Sequence, residues 1–88
     1  MHNTAHITSV PEIPVAAPRI RGRETLIRAG AALWRVQDRD GRLLGHLRHL
    51  EHPLGVRFRA ERLHLPTGRF LQVGEFWCAD EAVASLRA

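Results

Sequence analysis

Leu33-Trp-Arg-Val-Gln-Asp-Arg-Asp-Gly41 is the stretch on which the fold turns. Trp34 and Val36 alternate with Arg35 and Gln37, the period-two pattern of a half-buried strand. Asp38-Arg-Asp-Gly41 then suits a hairpin turn with glycine in the left-handed region. His52-Pro-Leu-Gly55 and Leu65-Pro-Thr-Gly68 repeat the signal, each with proline second and glycine fourth. The runs between these turns are rich in Val, Phe, Trp and Leu and predict strands over 33–38, 43–51, 56–64 and 69–74. Connections this short join antiparallel neighbours, which makes a meander.

In the run 56–64, Val56, Phe58 and Ala60 face one way, and Arg57, Arg59 and Glu61 the other. Leu63 and Leu65 then fall out of phase, and a bulge near Glu61 or Arg62 is expected to restore it. Leu43, Leu44, Leu47 and Leu50 hold no single period. After the last strand, Cys78-Ala-Asp-Glu81 stands where a capping box would be. Cysteine is a poor cap, but Asp80 and Glu81 suit the positive end of a helix dipole and Arg87 the negative end. Ala82, Val83 and Leu86 make an apolar stripe at helical spacing. The expected fold class is α+β: a three- to four-stranded antiparallel β-meander with one C-terminal helix packed on Trp34, Val36, Val56 and Phe58.

Upstream, Pro11, Pro14 and Pro18 remove the N–H groups that helices and ladders need. The first 22 residues are expected to be a disordered tail, with Glu24 to Ala29 forming a helical turn that Gly30 ends. The expected division is therefore 1–30 as tail and linker and 31–88 as the folded domain. Arg19, Arg21 and Arg23 make a basic linker, readable as a solvated spacer or as an arm that touches phosphate.

The chain has 88 residues, enough for one domain with a small core. An apolar content of 44% excludes a wholly disordered chain. No run approaches the roughly 18 consecutive apolar residues of a membrane span. Residues 1–18 lack the basic start of a secretory signal. A cytoplasmic location with no membrane partner is expected. The lone Cys78 excludes an internal disulfide and argues against a thiolate zinc site. His46, His49 and His52 are spaced by three, which on a strand points neighbours to opposite faces, so no metal site is expected. No P-loop and no nuclease carboxylate cluster is present, and the expectation is a non-enzyme without a cofactor.

Leu33-Trp-Arg-Val-Gln-Asp, Gly41-Arg-Leu-Leu-Gly-His and the segment from Gly74 to Arg87 resemble a family of short uncharacterised actinobacterial proteins, over about residues 33–87. Members of that family sometimes carry the label DNA mismatch repair protein. The layout is also similar to the arm-binding domains of tyrosine recombinases, small DNA-binding modules of three strands and a helix. Phe76 to Leu86 follows their ending of an aromatic, a helix cap, Glu-Ala and a leucine. The N-terminal tail and the cysteine at the cap position depart from that pattern.

All 13 basic residues are arginine, and the formal net charge is +4. Guanidinium stays charged at any working pH and binds phosphate through a planar fork. The basic residues concentrate between Leu33 and Gln72, while the segment from Val73 onward is acidic. If the first and third predicted strands are adjacent, Arg35, Arg57 and Arg59 share the sheet face opposite the helix, and Arg48 joins them from the second. Arg42 and Arg69 flank them in turns. The functional expectation is a nucleic-acid-binding module, DNA above all, that contacts DNA or RNA phosphates through Arg35, Arg48, Arg57, Arg59, Arg42 and Arg69. The alternative is a protein–protein interaction module or homodimer, for which a flat apolar patch around Leu44, Leu50 and Trp77 would be the sign. An exposed Trp77 would serve as a stacking platform or partner anchor, a buried one as core.

Overall fold

The computed structural model describes residues 13–87. Five strands follow one another: β1 (Thr25–Gly30), β2 (Leu33–Gln37), β3 (Leu43–His52), β4 (Gly55–His64) and β5 (Arg69–Phe76). Among the described residues one helix, α1 (Ala79–Ala84), follows them. The strands form a single sheet in sequence order, each antiparallel to the next. This is the expected meander with one more strand. The extra strand is β1, which occupies residues read from sequence as a helical turn and linker. Thr-Leu-Ile-Arg-Ala-Gly shows no strict alternation, and its strand conformation comes from pairing with β2, Leu26 opposite Val36 and Arg28 opposite Trp34.

The turns lie where their residues placed them. Asp38 organises the β2–β3 turn, its Oδ1 accepting from the backbone N–H groups of Asp40 and Arg42, both at 2.9 Å. Gly41 there has φ +86°, which side chains with a Cβ rarely adopt. Gly45 has a different role. A Cβ on it would stand 2.0 Å from the Glu61 carbonyl oxygen, so only glycine lets β3 and β4 approach beside the bulge that inserts Leu44.

The bulge expected near Glu61 or Arg62 does not form, and the phase of Leu63 is not corrected; the irregularity falls on the neighbouring strand. The register shifts at Ala60/Glu61, where Ala60 faces Gly74 and Glu61 faces Gln72, leaving Val73 of β5 as the extra residue. β4 itself runs unbroken against β3 from Gly55 to Arg62. Leu63 therefore stays on the face away from the helix, paired with Phe70, and Leu65 lies exposed in the turn.

The core forms on the other face. Trp34, Val36, Leu47 and Ala60 are covered by Ala79, Ala82, Val83 and Leu86 of the helical segment, with Phe58 and Phe76 packed at the margin. Val56, expected beneath the helix, lies on the same face but at the exposed rim by the β3–β4 hairpin. Cys78 takes the N-cap position with extended backbone, but its side chain makes no capping hydrogen bond. Arg87 lies past the last turn and donates to both carboxylate oxygens of Glu24, at 2.7 and 3.0 Å. It thus ties the end of the chain to the start of β1.

The segment before β1 also contributes to the fold. Val15 and Ile20 pack against the core. The Val15 N–H donates to the Ala31 carbonyl at 2.9 Å, and the Arg21 N–H donates to Asp80 Oδ1 at 2.7 Å. This differs from the tail expected through residue 22. The part of that expectation falling on residues 1–12 lies outside the described residues.

Candidate functional site

The strand period sends Arg35, Arg48, Arg57 and Arg59 to the sheet face opposite α1. Register fixes their neighbours. Arg48 of β3 stands directly opposite Arg59 of β4, and Arg35 of β2 directly opposite His46. Leu33 is the β2 partner of Arg48, so Arg35 is diagonal to Arg48. From β4 to β2 the guanidinium groups run Arg57, Arg59, Arg48, Arg35, an oblique track over three central strands.

Two carboxylates sit beside this track. Glu61 Oε2 accepts from Arg48 Nε at 2.9 Å, and its Oε1 lies 3.5 Å from His46 Nδ1. Glu75 accepts from Arg59 at 3.1 Å and lies 3.5 Å from Arg57 Nε, while Arg57 also donates to the Glu75 carbonyl at 2.7 Å. Three of the four guanidinium groups, Arg48, Arg57 and Arg59, thus share two carboxylates. Arg35 is exposed and has no ion pair among the described residues. His46 is stacked on Phe70 with ring centroids 3.7 Å apart. Its burial holds the imidazole below its ordinary pKa. Glu61 opposes that shift, and the charges of Arg48 and Arg35 reinforce it.

Arg42 and Arg69 stand apart from these four. Arg42 lines a cleft at one end of the sheet with Leu43, Leu44, Arg62, Leu63, Leu65 and Leu86. Arg69 pairs in register with His64, two positions beyond Arg62 on β4, and so takes the phase of the helix side. Of the six arginines singled out from sequence, the structure brings four together.

At the other end of the arginine track stands Trp77, which is 51% exposed, whereas Trp34 is 1% exposed. The Arg57 guanidinium lies over the Trp77 ring at 4.3 Å from its centroid. His52 meets the ring nearly perpendicular at 5.2 Å. Sequence alternation could not place Trp77, because it follows the end of β5. Continuing the phase of Glu75 by two residues would have pointed to this face. The pairing of Glu75 with two arginines left no sequence signal at all.

The remaining candidates separate. His46 and His52 lie on the arginine side, while His49 lies on the helix side, edge-on to Phe58. Among the described residues no three His, Cys, Asp or Glu side chains gather as metal ligands. Leu50 pairs with Arg57 on the arginine face, but Leu44 lies about 20 Å along β3 at the far cleft, so Leu44, Leu50 and Trp77 form no single patch. Among the described residues no helix is long and apolar enough to cross a membrane. Comparison with protein-family models, with curated proteins and with solved structures gives no match to this chain.

Proposed function

We propose that this chain is a small basic nucleic-acid-binding module that holds a phosphate backbone on the arginine-bearing face of its sheet. The observation that carries the reading is Arg48 directly opposite Arg59, with Arg57 and Arg35 at either end of the same track. Like charges directly opposite across strands destabilise a sheet. Glu61 and Glu75 offset part of this, but two carboxylates leave the track positive. Partly exposed ion pairs are worth only about 0–1 kcal/mol each, so phosphate oxygens can take over guanidinium donors at little cost. Each arginine then offers a planar fork to phosphate. Such contacts position a protein without reading bases, so binding is mainly non-specific.

Titration of fluorescein-labelled DNA and RNA oligonucleotides, followed by anisotropy at several salt concentrations, tests this. With about four to six phosphates neutralised, log K falls against log salt with a slope of about −3 to −5. Arg35→Ala, at an exposed position with no ion pair, makes that slope shallower by just under one. Folded protein that binds neither single nor double strands at about 50 mM salt overturns the reading. Self-association untouched by Arg35→Ala would then favour an interaction module.

A further inference from the structure

Resting on the nucleic-acid reading above, we infer that the ligand of this face is a single strand, DNA or RNA, whose phosphates follow the arginine track while one base stacks on Trp77. Two independent observations point there. The first is the width of the sheet. Five strands at about 4.8 Å spacing span about 19 Å. The duplex major groove is about 12 Å wide and admits a helix or a two-stranded ribbon. The arginines sit on the three central strands, and β1 and β5 flank them on both sides. That flanking keeps the track out of a groove, whereas a single strand can lie across an open sheet.

The second observation is Trp77. A half-exposed indole on a soluble surface costs hydration free energy, and this one is held in place. The Arg57 guanidinium covers the ring at 4.3 Å and His52 braces it at 5.2 Å. Bases inside a duplex have no free face to offer such a ring, but an unpaired base does, and stacking of this kind tolerates any base. Arg57 links the two halves of the site. It belongs to the arginine track and also lies over the indole, so a strand stacked on Trp77 enters the track at its first guanidinium. The other aromatic contact of this face, His46 on Phe70, is already a closed ring pair.

The test compares four labelled 12-mers on the full chain: oligothymidine, oligouridine, a mixed-sequence DNA duplex, and an abasic DNA strand that keeps the phosphates and lacks the bases. The inference expects oligothymidine and oligouridine to bind at least tenfold tighter than the duplex and the abasic strand. Either single strand binding alone supports it and names the sugar. Trp77→Ala weakens the single strands by roughly tenfold or more and leaves abasic binding unchanged. Should that variant not fold, wild-type indole fluorescence replaces it. Trp34 is buried, so quenching by oligothymidine and not by the abasic strand reports stacking on Trp77. Equal binding of duplex, abasic and single strands overturns the inference while leaving the phosphate-binding reading intact. No binding of any of the four removes both.

Discussion

His46 lies ring to ring on Phe70, with 9° between the planes, and its side chain is 15% exposed. Burial disfavours its protonated form, and the nearby Arg48 and Arg35 disfavour it further, against the pull of Glu61. Its folded pKa is therefore below the ordinary 6.5 of the unfolded chain. As pH falls through 6.5 the unfolded chain takes up this proton first, so the contribution of His46 is complete above that value and declines below it. His46→Phe keeps a ring against Phe70 and removes the proton. Urea unfolding between about pH 7 and pH 5 should show a flatter stability profile for the variant than for wild type. Parallel profiles would assign the acid sensitivity to other groups.

α1 has six residues, far too few to hold its shape alone in water. Its hydrogen bonds persist because Ala79, Ala82 and Val83 are buried on the sheet, with Leu86 2% exposed just beyond. Leu86→Ala should cost about 2–4 kcal/mol by leaving a cavity over the core. In a domain this size that is a large share of the total stability, and denaturant midpoints will show it. A change below about 1 kcal/mol would mean that the site collapses around the smaller side chain. The helix is also tied down at its end. Hydrogen bonds from Arg87 hold the Glu24 carboxyl below its usual range, so this tie is present at neutral pH and weakens only as pH falls below the normal glutamate value of 4.5.

Across the molecule, the core is closed from both ends of the chain. α1 covers β3, β4 and β5, while Val15 and Ile20 pack against the same core from the N-terminal side, where Arg21 reaches Asp80 of the helix. Removing residues up to Gly22 should therefore cost about 2 kcal/mol, the loss of two partly buried apolar side chains and two hydrogen bonds from backbone N–H groups, offset in part by the chain entropy no longer spent on ordering the segment. Thermal melting should fall by about 10 °C relative to a chain starting at Ile13. A shift of less than about 3 °C would show that the helix and sheet close the core without this segment.

The positions of the turns and the faces of β2 and β4 were legible in the sequence, because Asp-Gly and Pro-x-Gly patterns and strict alternation are local properties of the chain. Arg35, Arg57 and Arg59 could be assigned to one face for the same reason. Arg48 could be placed only by register, because the Leu44 bulge hides the period of β3. β1 had no alternation to reveal it and is a strand because β2 offers an unpaired edge. The extra residue of the β4–β5 ladder falls at Val73 and not on β4, since β4 is held in continuous register by β3 on its other side. The pairing of Glu75 with Arg57 and Arg59, and the stacking of Arg57 on Trp77, join residues 16 to 20 positions apart. Local patterning fixes which way a side chain points. Only the tertiary ladder decides which side chains become neighbours, and the candidate site consists of such neighbours.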